Sequence, residues 1–309
     1  MFLYYFRGLR KKLLNESYFI EAAHLSGHSF SMKDRPFTIP FVLRASPPND
    51  GQHSRFYRMT HEQDQYDDHK KKISGLKQII RSLRSGETPD DVYTFSQGRI
   101  DDIGRRPFLY WFGEETLSLF SEYPSIDDVG EVKQGLSTGD DDQFVRKWWE
   151  VPREYIGERY KRFQKSGTDS EYYDYAEDYV DWGDSGQDLR DAGANLRNED
   201  FYFTEGVSFR AFGSYFVGRK LPEGSIFSHK SHTVFSDEIS DELLLANLNS
   251  TLHRFIGNGL NPGLSFEVGD AKRFPVKTDY ERQSELTELV STGVQERKRI
   301  SQWTETSAD

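Results

Sequence analysis

Ile73, Leu76, Ile79, Ile80 and Leu83 stand in an otherwise polar stretch at helical spacing, which predicts an amphipathic helix over Glu62–Ser85, ended by Gly86 and Pro89. Before it, Phe37–Arg44 and Arg55–Met59 are rich in β-branched and aromatic residues. They predict two strands, with the dense turn signal Ser46-Pro47-Pro48-Asn49-Asp50-Gly51 as a hairpin turn between them. From Asp90 to about Val276 the pattern changes to short aromatic segments punctuated by Gly, Pro and Asp. Ser240–Ile256 interrupts it, where Leu243, Leu244, Ala246, Leu248, Leu252 and Phe255 suit a buried helix. Asp279–Trp303 reads as a charged helix with Leu286, Leu289, Val290 and Ile300 on its apolar side. The pattern is α+β, with no internal repeat.

Composition narrows the function classes. The 309 residues contain no Cys, which excludes a disulfide scaffold, a Cys-ligated zinc site, an iron–sulfur cluster and a thiol nucleophile. Aromatics at 15% argue against simple disorder. Apolar Met1–Phe6 is followed at once by Arg7, Arg10, Lys11 and Lys12, the reverse of a signal peptide. No run approaches the ~20 apolar residues of a membrane span, so a cytoplasmic protein with no membrane partner is expected.

The net charge of −11 is unevenly distributed, and Asp (27) outnumbers Glu (24) while Arg (24) outnumbers Lys (16). Gly167–Asp191 holds nine acids against one Arg, and Asp127–Asp142 holds six against one Lys. Between them, Arg146–Lys165 carries seven positive and three negative residues, interleaved with Trp148, Trp149, Tyr155, Tyr160 and Phe163. Taken alone, the acidity votes against nucleic acid, whereas the basic aromatic strip suits it. Surplus Asp and scarce Lys suit a high-salt cytoplasm, in which acid maintains solubility and phosphate attraction is screened.

Recognisable catalytic constellations are missing. There is no Walker loop, and the sequence alone locates no Ser/His/Asp triad. Gly257–Gly263 follows a helix rather than a strand and reads as a C-cap and turn, not a dinucleotide loop. His229 and His232 are the nearest approach to a metal pair, and such a pair is ordinarily a surface turn. Asp140-Asp141-Asp142 reads as a solvated loop. Ser46-Pro47-Pro48-Asn49 imitates the catalytic loop of amino-methyltransferases, but Asn49 stands where that loop stacks an aromatic ring on the flipped base.

The most unusual stretch is Val132–Val151, with Gly135-Leu136-Ser137-Thr138-Gly139-Asp140 leading into Arg146-Lys147-Trp148-Trp149-Glu150-Val151. It resembles a signature of the PglX-like adenine-specific DNA methyltransferases of BREX phage-defence systems, relatives of type IIG restriction–methylation enzymes with TaqI-type specificity domains. Further segments resemble the same family in order: Tyr110-Trp111-Phe112, Arg197–Phe209, Phe216–Gly224, Leu244–Ser250, and Leu260–Asp270 with Phe274-Pro275-Val276. Together these cover about residues 105–276. Phe37–Arg58 resembles, more loosely, the last strands of a methyltransferase sheet, and Lys70–Arg84 the helix that follows. The resemblance implies the tail of a methyltransferase domain with a connecting helix at 1–89, a strand-rich target-recognition domain at 90–278 and a C-terminal helix at 279–309.

It also implies a chemistry, transfer of a methyl group from S-adenosylmethionine to adenine N6 after base flipping. The cofactor loop and the catalytic loop of that family have no counterpart here. The expectation is therefore a C-terminal part, from a split or truncated gene, that binds no cofactor itself, reads double-stranded DNA and works with a separate methyltransferase chain or other defence-system proteins. The chain departs from the family pattern in ways that remove phosphate contacts: Asp141 replaces an Asn, Gln143 replaces an Arg, and Lys165–Tyr173 with the acidic run replaces a basic aromatic stretch.

By their own chemistry, Gly135 and Gly139 flank a turn where a backbone approaches another backbone or a phosphate closely. Thr138, Asp141 and Gln143 carry groups able to meet a base edge, and Arg146 and Lys147 can hold phosphates. Arg210 and Arg219 either read guanine or pair with acids. Trp148 and Trp149 have a simpler reading as strand residues alternating into a core, and Leu248-Asn249-Ser250 as part of a core helix. Two rival functions stay open, a non-enzymatic protein-interaction subunit of a defence complex and, more weakly, a carbohydrate-binding module.

Overall fold

The computed structural model describes residues 7–25, 38–49, 51–60, 64–98, 109–166, 169–213, 215–260 and 265–301. Several expectations fall partly outside them: Met1–Phe6, Phe37, Glu62, Gly167-Thr168, Asn261–Leu264 and Trp303. The chain divides into two compact units, Met1–Ser118 and Leu119–Asp309. Both mix helices and sheets, the α+β class expected.

In the first unit, α1 (Arg7–Glu16) leads into β1 (Tyr18–His24), followed by β2 (Phe41–Arg44), β3 (His53–Arg58), α2 (His69–Ser85) and β4 (Val92–Ser96). The sheet order is β2-β1-β3-β4, with β1 antiparallel to β2 and parallel to β3, and β3 antiparallel to β4. This corrects the expected hairpin. The strands on either side of Ser46–Gly51 are not neighbours, because β1 lies between them and the turn connects across it. Side chains alternate along β3, so Phe56 and Tyr57 enter opposite faces. On one face Tyr110 stacks on Phe56 at 4.4 Å, with Phe19 and Phe95 alongside. On the other, α2 lays Ile79, Leu76 and Leu83 against Tyr57 and Met59.

Helix α2 starts later than its apolar pattern predicts. Asp68 caps it, its carboxylate accepting from the Lys71 amide at 2.9 Å, and a 3-10 turn (Asp64–Tyr66) precedes it. Its end is at the expected glycine: Gly86 is left-handed (φ 88°), and its amide donates to the Leu83 carbonyl.

The second unit starts within α3 (Glu114–Glu122) and continues through α4 (Ile126–Val129), β5 (Glu131–Lys133), α5 (Asp141–Phe144), β6 (Val145–Lys147), β7 (Tyr160–Gln164), β8 (Asp178–Asp181) and α6 (Gly183–Asp191). It closes with β9 (Gly206–Arg210), β10 (Gly218–Leu221), β11 (Ser225–Phe227), β12 (Ser231–Phe235), α7 (Asp241–Leu248), α8 (Thr251–Leu260), α9 (Val268–Ala271) and α10 (Gln283–Ser301). One sheet runs β10-β9-β12-β5, antiparallel throughout; the other runs β11-β7-β8-β6, with only the β11–β7 pair parallel. Phe163, Val180, Ile226 and Phe227 from the second sheet meet Leu221 and Phe235 from the first in a core that also takes in Leu136, Trp182 and Leu189.

Strand β12 is buried along its whole length because the opposite face of its sheet is covered too. There α7 packs on β9 and β10, and α10 packs on α7. His232 is therefore interior, in contact with the Phe209 ring, which corrects the surface-turn reading of the His229/His232 pair.

The helix expected over Ser240–Ile256 is two helices. Asn249 and Ser250 break it, and α8 then runs on through Gly257 and Gly259 to Leu260. The expected C-cap at Gly257 is thus inside a helix, where a side chain would press on Phe274 and Phe216. The start of this unit is tied to the segment after α9: the Ile126 amide donates to the Phe274 carbonyl at 2.9 Å, and the Val276 amide to the Pro124 carbonyl at 2.8 Å.

Candidate nucleic-acid interface

The unusual stretch beginning at Gly135 crosses the core before it reaches the surface. A Cβ on Gly135 would stand 1.9 Å from the Phe227 carbonyl oxygen, so only glycine lets the two backbones approach. The Leu136 amide then donates to that carbonyl at 2.9 Å, and Leu136 is fully buried. Of the two partners left open for Gly135, the structure provides a backbone. This takes Gly135 off the candidate DNA surface. Gly139, by contrast, sits at an exposed tip with φ 77° and open space around it.

Thr138 is buried, and its hydroxyl donates to the Asp141 carboxylate. Asp141 also receives Lys165 Nζ at 2.8 Å. Desolvation is the largest influence on Asp141 and raises its pKa, but the bonds from Lys165 and Thr138 outweigh it and hold the carboxyl below its ordinary range. Asp140 caps α5, accepting from the Gln143 amide at 3.0 Å, while the Gln143 side chain is exposed. The acidic triplet is therefore a capped and paired turn rather than a free solvated loop.

The two candidate phosphate-holding cations already have partners within the chain. Arg146 folds back on the Asp142 and Val145 carbonyls at 2.7 and 2.8 Å. Lys147 stands between Glu177 at 3.0 Å and Asp178 at 3.3 Å. Desolvation lowers the Lys147 pKa, yet those two carboxylates prevail and raise it. Trp148–Glu150 form a 3-10 turn, so the expected strand alternation fails. Trp149 is 49% exposed with Lys147 Nζ 5.9 Å from its ring centre, and Tyr155 is 46% exposed beside exposed Arg153.

Arg219 is fully buried on β10, where its guanidinium meets Asp174 at 3.0 Å; desolvation, its largest influence, pulls its pKa down. An interior ion pair cannot reach a base edge, which removes Arg219 from the candidate readers. Arg210 pairs with Asp169 and lies 5.6 Å from the Tyr215 ring centre. Arg254 was not anticipated. It lies 5.4 Å from the same ring and pairs with Glu171. The only sequence signal for this arrangement was the spacing of the acids in the 167–191 run, because the three arginines come from β9, β10 and α8.

A cleft of about 630 Å³ is lined by Arg159, Lys161, Trp182, Phe203, Glu158 and Asp188 among others, with the left-handed residues Asp184 and Ser185 in its wall. Its mixed charges select no ligand class. Among the described residues no group of three metal-ligating side chains is present, and no helix is long and apolar enough to cross a membrane.

No family model matches the chain. It is 26% identical over 292 residues to the adenine-specific methyltransferase BrxX of Escherichia coli O9:H4 (strain HS), a match covering 89% of this chain and 23% of that protein. It is 25% identical over 320 residues to the adenine-specific methyltransferase PglX of Lacticaseibacillus casei (strain Zhang), covering 94% of this chain and 26% of that protein. Among solved structures, a nuclease-deletion mutant of the Type ISP restriction-modification enzyme LlaGI with a DNA substrate mimic aligns at TM-score 0.48 and 9% identity, over 94% of this chain and 33% of that one. Nearly the whole chain is thus similar to about a quarter of each of two adenine-specific methyltransferases, BrxX and PglX.

Proposed function

We propose that the chain recognises a DNA target for site-specific N6-adenine methylation in phage defence, with residues 90–278 as a specificity domain of the TaqI type. The observation that carries the reading is the similarity of almost the entire chain to two adenine-specific methyltransferases. The exposed Trp149 and Tyr155, set among Lys147 and Arg153, support it as a face with both aromatic and cationic character. Methyl transfer itself is assigned to a segment or chain bearing the S-adenosylmethionine loop and the catalytic loop, neither of whose patterns occurs in these 309 residues. We assign the protein to the cytoplasm, and its acid excess to a high-salt one, so that folding depends on molar salt.

Duplex binding measured against salt tests the proposal. Phosphate contact makes affinity fall steeply with salt, by a slope of about 0.9 per phosphate held. Trp149→Ala with Tyr155→Ala weakens binding while leaving the melting temperature unchanged. Absence of binding at every salt concentration overturns the proposal.

A second reading, a non-enzymatic interaction subunit, is favoured by one observation. Three of the seven cations of the basic strip are matched by acids: Lys147 by Glu177 and Asp178, Arg159 by Asp181, and Lys165 by Asp141. Retrieval of a defined defence protein by a chain that ignores DNA supports that reading instead.

A further inference from the structure

Three acids of one short segment each meet an arginine from a different element. Asp169 pairs with Arg210 at the end of β9, Glu171 with Arg254 of α8, and Asp174 with Arg219 of β10. The segment is fastened by its backbone to the sheet. The Tyr172 amide donates to the Gly218 carbonyl at 3.1 Å, and the Lys220 amide donates to the Tyr172 carbonyl at 2.8 Å. Tyr172 takes a left-handed conformation (φ 67°), uncommon for a bulky side chain, to make this bridge. The three pairs differ in character along this strap: Asp174–Arg219 is interior, whereas Asp169 is 63% exposed and Glu171 30% exposed at their side chains.

Where the strap is exposed, the arginines beneath it are built to hold an anion. Arg210 and Arg254 both lie against the Tyr215 ring, which fixes their planes. The Nε of each is buried, that of Arg210 against Gly213, so the terminal nitrogens are the donors that face Asp169 and Glu171 and that an anion in their place would meet. Phe212, two residues after Arg210, and Phe255, next to Arg254, are 62% and 45% exposed. A planar guanidinium presents the same fork to a phosphate as to a carboxylate.

The geometry points to an anion site formed by Arg210, Tyr215 and Arg254 that takes the phosphodiester backbone of nucleic acid, and that the chain's own Asp169 and Glu171 occupy until phosphate displaces them. The inference rests on the DNA-recognition reading and adds to it a self-competition. The strap stands in for phosphate, lowering affinity for any duplex that does not also make the remaining contacts. Asp174 and Tyr172 hold the strap in place throughout, so only its outer half exchanges.

The test is binding of the full chain to a duplex of about 20 base pairs, as a function of salt. Asp169→Asn with Glu171→Gln raises affinity roughly tenfold, the scale of releasing two partly exposed ion pairs. In that background, Arg210→Gln with Arg254→Gln abolishes the gain and reduces the salt slope by about 1.8, two phosphates' worth. Neutralising two exposed acids of the same run away from the arginines, Asp184→Asn with Asp188→Asn, controls for net charge and gives a much smaller gain. Asp169→Asn alone, at the most exposed position of the strap, provides the readout should the double variant misfold.

Equal affinities for the wild-type chain and the strap variants, with the wild type binding duplex, overturn the self-competition and leave DNA recognition standing. A gain matched by the charge control also overturns it. Competition by polyglutamate as effective as by duplex, at equal charge, overturns phosphate as the occupant. No binding by any variant at any salt overturns the DNA reading and this inference together.

Discussion

The side-chain amide of Asn249 pairs with both polar atoms of Gly218, accepting from its N–H at 2.8 Å and donating to its C=O at 2.9 Å. Asn249 follows α7, and Gly218 opens β10 beneath it, so one side chain ties the helix to the sheet by imitating a strand neighbour. Gly218 is buried, with Leu248 Cβ 3.2 Å from where its own Cβ would be. Asn249→Ala takes the acceptor from the buried Gly218 N–H, while the Gly218 carbonyl keeps the Tyr172 amide, at a cost of about 1–3 kcal/mol. Asn249→Asp keeps the acceptor but sets a carboxylate against the carbonyl, and rescues little. Urea denaturation of the three proteins checks this; a loss below about 0.5 kcal/mol for the alanine variant contradicts the assignment.

The two glycines that flank Thr138 separate by substitution. Gly135→Ala drives a methyl into the Phe227 carbonyl, backbone against backbone, and the strand crossing has no flexible atom to yield. Loss of the folded state or a destabilisation of several kcal/mol is expected, beyond the roughly 1–3 kcal/mol of ordinary overpacking. Gly139→Ala meets no atom and carries only the left-handed penalty, about 1–2 kcal/mol. Comparable melting temperatures for the two variants would refute the steric account of Gly135.

Much of this architecture was legible in periodicity, and what was not has a physical reason. The α2 pattern is readable because one face meets a single sheet, and Gly86 ends the helix as its freedom at positive φ suggests. The Ser46–Gly51 turn misled because turn chemistry specifies a reversal, not which strand lies next to which; β1 enters between from earlier in the chain. Trp148 and Trp149 misled because a 3-10 turn has no strand alternation. At the candidate interface, residue types indicated which side chains could meet phosphate. Whether Arg219 is interior and Arg210 peripheral depends on the acids opposite them, and those acids come from a separate stretch of chain, Asp169 to Asp174.

Arg219 and Asp174 give a contrast with the outer strap. Removing one partner of an interior pair strands the other charge without water, so Asp174→Ala destabilises by about 3–5 kcal/mol. Asp169→Ala, at a mostly exposed carboxylate, changes stability by no more than about 0.5 kcal/mol. Chemical denaturation ranks them. A small effect at Asp174 would return Arg219 to the list of residues free to move toward a ligand.

His253 makes the stability of the second unit depend on mildly acidic pH. Its Nε2 lies 2.7 Å from the Pro275 carbonyl, which can only accept, so the proton is on Nε2, and Nδ1 accepts from the Ser250 hydroxyl at 3.0 Å. Burial, the dominant influence, pushes its pKa down to about 4 from 6.5, against a weaker upward pull from the Pro275 carbonyl. The unfolded chain therefore takes up a proton as pH falls through 6.5, whereas the folded chain does not until about 4. Stability present in full above pH 6.5 is lost across that window, with a limiting slope of about 1.4 kcal/mol per pH unit. His253→Gln can keep the bond to Pro275 but has nothing to titrate, so its stability is flatter between about pH 6.5 and 4.5 than that of the wild type. The slope does not vanish, since burial lowers the pKa of His232 as well. Parallel stability–pH curves for the wild type and His253→Gln would show that the imidazole is already charged in the folded protein, and the Nε2–H tautomer with a neutral ring would then be wrong.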